Sequence, residues 1–442
     1  MPRPTAFLLL LLAPLGAVPA RAANWSPLPT GFERVYHRAI YDSLRSRTLV
    51  FGGVDSLYRN DVHQLTLSGS PAWSVLSPSG FPAPDVRDNH GLVYDPVRDR
   101  MLVFGGAKMF GATVVQFNDV WAMSLASSPA WTQILPTGSK PAARHGHNTV
   151  YDPVRDRLIV FGGRDVTGLR NDVWQLSLSG TPAWTLLVPS GTPPTARDDA
   201  AAIYDPVRDR MIVFGGFGPT WNSDVWELTF SPLAWNPITP AAAGPSARDR
   251  LSGIYDPVND RMVVFGGRDG PLHWTNDVWG LSLGGTPGWL DITPSGGSAP
   301  AARWGYSAAY DAADQQLVIF GGSAATGTYF DDAWALTLGP AVSVDEAPHS
   351  RLSVVGAGPN PALEAWTLQF RLAEPAEVSV RIYDTAGRVV RDLGHEALPA
   401  GSHALRWELR SDSGRRVPNG VYFFELRGAG LRLGKALVVV DQ

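Results

Sequence analysis

Hydrophobic and polar positions along this chain repeat one sentence six times. Short apolar runs end in Phe-Gly-Gly at Phe51, Phe104, Phe161, Phe214, Phe265 and Phe320, at steps of 53, 57, 53, 51 and 55 residues. Ahead of each run stands an Arg, with Tyr-Asp or a close variant seven residues later. After it come a loop, Asn-Asp-Val-Trp or a variant, an alternating stretch, Pro-Ala-Trp or a variant, and a Pro-rich link to the next Arg. In the second unit this predicts strand a over about 90–94, a turn through Asp95-Pro96-Val97-Arg98-Asp99, strand b over 101–104, strand c over 120–125 and strand d over 130–135. Four short antiparallel strands per unit, six times over, predict an all-β protein built on a six-bladed propeller.

The residues of the unit explain its shape. The Gly pair after strand b allows backbone conformations that a Cβ forbids and lets the next blade approach closely. Pro71, Pro129, Pro182 and Pro287 lie two residues before the strand-d Trp. Proline lacks a ladder donor, so strand d is expected at the outer edge of each blade. The repeated Trp residues of strands c and d are expected to fill the wedges between blades. The sixth unit breaks off after Leu338 without a strand d, while Asn24-Trp25-Ser26-Pro27-Leu28 precedes the first Arg. That segment is therefore expected to supply the missing strand and close the ring, leaving no open sheet edge.

The set Arg-x-x-His, Tyr-Asp, Phe-Gly-Gly, Asn-Asp-Val-Trp and a final Trp resembles the Kelch repeat, within the galactose oxidase-like propeller superfamily, over residues 23–338. The motif's His stands only at His37, His90 and His147. After a linker at 339–351, residues 352–442 alternate again, as in 366–370, 378–383, 421–426 and 436–440, at about the length of a seven-strand sandwich. Ile382-Tyr383-Asp384 to Gly387-Arg388, the stretch from Ala400-Gly401 to Trp407, and Asn419-Gly420-Val421-Tyr422 resemble the FlgD-like Ig domain and the sorting domains of type IX secretion. The resemblance implies a Gram-negative-type bacterium, with possible partners in the secretion machinery.

The first residues sharpen that expectation. Arg3, an apolar run from Phe7 to about Ala20 broken by Pro14, Gly16 and Pro19, and Ala20-Arg21-Ala22 read as a signal peptide over 1–22, giving a secreted or surface protein without a membrane span after cleavage. The chain has 37 basic and 41 acidic residues, a net charge of -4, which argues against a nucleic-acid partner. It has no cysteine, which excludes disulfides, thiolate metal sites and the Cys–Tyr copper chemistry of galactose oxidase-like enzymes. A monomer is expected.

Candidate chemistry gathers on the face formed by the d–a and b–c loops. Arg34, Arg87, Arg144, Arg197, Arg248 and Arg303 open strand a in every blade and could clamp acidic ligands. Their repetition also fits a bond to a carbonyl or acid of their own repeat. Asp88, Asp198, Asp199 and Asp249 lie close by in sequence and would offset the field. Trp221, Trp274 and Trp304, with His273, fall outside the repeat's own aromatic positions and are candidates for sugar or peptide contact. The three histidines are expected to be packed and satisfied rather than zinc ligands, since equivalent points on separate blades seldom converge on one ion. The Asp residues of Asn-Asp are expected to fix the turn into strand c through bonds to backbone. No catalytic residue, metal or cofactor is expected. These features fit a binding protein for a glycan, peptide or protein, with a sugar epimerase or mutarotase of Kelch type, or a structural envelope protein, as alternatives.

Overall fold

The computed structural model describes residues 23–338 except 81 and 326, and 352–439 except 359–361, 363–364, 373–374, 385–387, 400 and 429–430. The expected signal peptide and linker lie outside the described residues. Six four-stranded antiparallel sheets follow one another. Blade 1 runs through strand a (Arg38–Asp42), b (Arg47–Phe51), c (Val62–Thr66) and d (Ala72–Leu76). Blades 2 to 5 repeat that order, with strand d at the edge of each sheet.

Blade 6 joins the two ends of the repeat region. Its strands Ser307–Asp311, Gln316–Phe320 and Ala333–Thr337 are completed by Asn24–Leu28, which pairs antiparallel with the third, Asn24 opposite Thr337 and Leu28 opposite Ala333. Trp25 takes the place of a strand-d Trp. Its ring meets Phe265 of blade 5 at 5.2 Å between centroids, as Trp131 meets Phe51 at 5.2 Å and Trp184 meets Phe104 at 4.9 Å. Each strand-d Trp thus packs on the Phe of Phe-Gly-Gly in the preceding blade.

The Gly pairs meet both demands placed on them. Gly52 and Gly53 have φ of +66° and +88°, and a Cβ on Gly52 would lie 2.7 Å from the Arg87 carbonyl of the next blade. On the opposite face, the a–b turns clasp one another. Arg45 reaches Asp99, Arg98 reaches Asp156, Arg155 reaches Asp209 and Arg208 reaches Asp260, each with two hydrogen bonds from one blade to the next. The clasp spans the junctions from blade 1 to blade 5.

The C-terminal region forms two sheets. One holds Leu352–Gly358, Trp366–Leu372 and Gly401–Trp407; the other holds Val389–Leu398, Ala376–Tyr383, Gly420–Gly428 and Leu431–Val439 in that order. Trp366, Phe370 and Trp407 of the first sheet share a core with Val380, Ile382 and Phe424 of the second. This is the expected small Ig-like sandwich.

Candidate functional site

The channel mouth is floored by backbone. The residue two positions after each repeat Arg is Tyr36, Asn89, Gly146, Asp199, Arg250 and Gly305 in blades 1 to 6. Each amide donates to the equivalent carbonyl of the preceding blade, at 2.7, 3.0, 2.9, 2.8, 2.9 and 2.9 Å, Tyr36 closing the circle on Gly305. All six hold left-handed φ, from +45° at Asn89 to +65° at Gly305. That conformation costs a residue with a Cβ about 1–2 kcal/mol. Glycine meets it in two blades, so the four side chains retained elsewhere point to a use for them.

Those side chains meet above the ring. The Arg250 guanidinium carbon stands 5.4 Å from the Tyr36 ring centroid and 5.0 Å from that of Trp304, and the two rings lie 5.2 Å apart. Its Nε is buried without a hydrogen-bond partner, 3.6 Å from Asp199 and 3.7 Å from Asp249. Arg268 grips Asp249 with two bonds of 2.9 and 2.6 Å; Trp221 donates its indole N–H to the same carboxylate at 3.0 Å. Arg164 holds Asp198 at 2.8 Å, and Gln116 meets the His145 ring at 3.0 Å. Deeper in the channel, Arg38 bonds the His90 carbonyl at 3.3 Å.

Burial sets the electrostatics. It pushes the Asp88 carboxyl up to about 7, with Asp199 adding to the effect, and raises Asp199 itself, helped by neighbouring Asp198. Arg38 is lowered by burial. A folded-state value above the unfolded one, near 3.9, means that Asp88 weakens the fold as pH rises from about 4 through 7. Asp88→Asn is therefore expected to match the wild type near pH 4 and to be more stable by about 2–4 kcal/mol above pH 7, read by urea unfolding at both pH values. An unchanged difference across that range would contradict the burial of an ionisable Asp88.

Two overlapping matches to the KLHDC2/KLHL20/DRC7 Kelch-repeats domain cover residues 23–181 and 153–338. The chain belongs to the Kelch-repeat family. Residues 362–430 match the FlgD Ig-like domain. The Kelch protein is 26% identical over 268 residues to host cell factor 1 of Homo sapiens, covering 56% of this chain and 12% of that protein. It is 28% identical over 236 residues to multiple epidermal growth factor-like domains protein 8 of Mus musculus, covering 51% of this chain and 8% of that one. The chain therefore spans a small part of these relatives. Among solved structures, YjhT aligns with a TM-score of 0.53 at 17% identity, over 69% of this chain and 96% of that one. A fungal alcohol oxidase in complex with copper also aligns at 0.53, with 15% identity, over 95% and 100% of the two chains. Both share the fold. Among the described residues no helix is long and apolar enough to cross a membrane, and no group of three or more His, Asp or Glu could hold a metal ion.

The six arginines of the Kelch repeat lie inside the blades, not on the loop face. Arg87, Arg144, Arg197, Arg248 and Arg303 are 0–1% exposed and Arg34 is 3% exposed. Each bonds the first Gly carbonyl of its own Phe-Gly-Gly and forks onto the Asp of its own Asn-Asp; Arg87 does so at 2.9 Å to Gly105 and 2.6 and 2.9 Å to Asp119. Of the two readings open for them, a ligand clamp and a bond within their own repeat, the second is the one formed, because a buried guanidinium needs its donors filled.

The Asp role is corrected with it. Asp119 accepts from Arg87 and from the Trp121 indole N–H at 2.7 Å, while the backbone bond falls to the preceding Asn118, which donates to the Pro141 carbonyl at 3.1 Å. His37, His90 and His147 pack against Phe320, Phe51 and Phe104, but their ring nitrogens have no hydrogen-bond partner of good geometry. Burial foremost, with nearby guanidinium groups, keeps these rings neutral.

Trp304 and Trp221 do reach the mouth. Trp274 and His273 stand on the long hairpin of blade 5 (Arg261–Gly270 and His273–Ser282), Trp274 opposite Arg268 and the exposed His273 paired with Asp269. Sequence reading missed Tyr36, Arg38, Asn89 and Arg250. The signal was present in the position two residues after each Arg, which changes character in nearly every blade.

Proposed function

We propose that this protein is exported by a bacterium and binds a protein, peptide or glycan through the mouth of its Kelch propeller, while its Ig-like domain serves secretion or surface attachment. Kelch domains commonly bind proteins, which supports the first part. The observation that carries it is the stack of Tyr36, Arg250 and Trp304 over the closed backbone ring, an aromatic and charged platform where all six blades meet. Aromatic faces and a guanidinium together suit both sugar rings and peptide side chains. A peptide and glycan array probed with the purified protein is expected to give selective binding that falls at least tenfold in Trp304→Ala. Binding that ignores this variant would move the site elsewhere, and silence from folded protein would favour a structural role in the envelope.

One observation favours a second reading, a sugar epimerase or mutarotase. Arg250 lies beside the carboxylates of Asp199 and Asp249, and burial pushes the Asp88 carboxyl up to about 7, the range useful for moving protons. This reading expects accelerated anomer exchange of a reducing sugar by NMR, abolished in Asp199→Asn. Rates equal to buffer alone would remove it.

A further inference from the structure

The mouth has two unlike halves, each centred on a glycine of the backbone ring. Gly146 of blade 3 and Gly305 of blade 6 stand opposite one another in the six-membered ring and place no side chain there. Arg250, Trp304 and Tyr36 occupy one side. Asp88, Asn89 and Asp199 occupy the other, and here acceptors lack donors. Asp88 is 9% exposed, its amide donates to the Ala107 carbonyl at 2.8 Å, and among the described residues no side chain makes a hydrogen bond to its carboxylate. Asn89 is 8% exposed, and its Oδ1 is buried without a donor. Asn89 shares the left-handed turn of Tyr36, Asp199 and Arg250, so its side chain leaves the ring on the same side as theirs. Asp199 has only the Arg250 Nε, at 3.6 Å, beyond hydrogen-bond reach.

The nearby guanidinium groups do not fill this half. Arg164 is held by Asp198 and Arg268 by Asp249. Arg38, and Arg250 in the blade next to Asp199, offset the two carboxylates through space, without a bond to Asp88. The buried Asn89 Oδ1 left without a donor is unfavourable, and a donor-rich cation can satisfy it together with the two neighbouring carboxylates.

We propose that the Asp88–Asn89–Asp199 half of the mouth receives a protonated lysine or arginine side chain from a bound protein segment. The inference rests on the loop-face reading above and names its partner chemistry. A polypeptide is the source that fits, because exposed apolar tips of the b–c loops, Leu57, Phe110, Val166 and Leu272, rise in blades 1, 2, 3 and 5 and can hold the residues flanking the basic one.

The test is an array of peptides carrying Lys or Arg in varied apolar contexts, with norleucine or citrulline at the same position as neutral counterparts. Affinity is expected to fall at least tenfold on neutralising the basic residue, and by a similar factor in Asp88→Asn and Asp199→Asn proteins whose melting shows them folded. Lysine amide and arginine amide alone are expected to compete only weakly; competition equal to the peptides would overturn the polypeptide source. Peptide or glycan binding that is lost in Trp304→Ala but indifferent to the basic residue and to both Asn variants would overturn the inference and leave the loop-face reading standing. Binding indifferent to all three variants, or no peptide binding, would overturn both the inference and its basis in peptide recognition.

Discussion

Asp119→Ala is expected to destabilise the propeller by about 3–5 kcal/mol, the effect of leaving a buried charge without its partner. Arg87 is fully enclosed, and its remaining bonds, to the carbonyls of Gly105 at 2.9 Å and Asp85 at 3.0 Å, carry no compensating charge. Replacing both partners, as in Arg87→Met with Asp119→Leu, is expected to recover much of the loss, since a filled apolar pair need not desolvate an ion. Burial alone would raise the Asp119 carboxyl, but the Arg87 guanidinium outweighs it and holds the group below the usual carboxylate range. The stability it contributes is therefore present above the unfolded value near 3.9 and lost as pH falls through the depressed one. Asp172, Asp224, Asp277 and Asp332 are shifted the same way by their own arginines. Chemical unfolding of the single and double variants checks the claim; equal losses in both would mean that packing, not charge, governs the pair.

Trp25→Ala is expected to cost about 3–5 kcal/mol, in the range for removing a buried large aromatic. The indole is 3% exposed and lies at the seam where the two ends of the repeat region meet. The a–b clasp position holds Asn259 in blade 5 and Asp314 in blade 6 where earlier blades have Arg, so the arginine clasp is not repeated at the two junctions of blade 6. Deleting 23–28 removes the outer of the two partners of Ala333–Thr337 and bares that strand as a sheet edge, so concentration-dependent association is expected as well. A monomeric deletion variant with unchanged melting would show that the closing strand is dispensable.

The blades were legible because their determinants recur. Phe-Gly-Gly needs its glycines in every unit, Pro marks the edge strand, and the absent sixth strand d pointed to Asn24–Leu28. Strand limits in blade 2 moved by about one residue, with strand a at Gly91–Asp95 and strand d at Trp131–Ile134. At the arginines recurrence left two readings, a ring aimed at a ligand and a bond within each repeat, and each side chain folds back on its own Asp and Gly carbonyl. The mouth is built from the opposite kind of position. Tyr36, Asn89, Asp199 and Arg250 differ from blade to blade, and only the closed circle of amide bonds brings them together. Trp304 and Trp221 were visible because they broke the pattern. Arg250 was hidden among repeated arginines close by in sequence.

The most direct measurement is a crystal structure of the protein soaked with its strongest array ligand. Ligand density is expected above the ring from Tyr36 to Gly305, in contact with Trp304 and Arg250. Density on the a–b turns or along the outer strand-d edges, with an empty mouth, would contradict it.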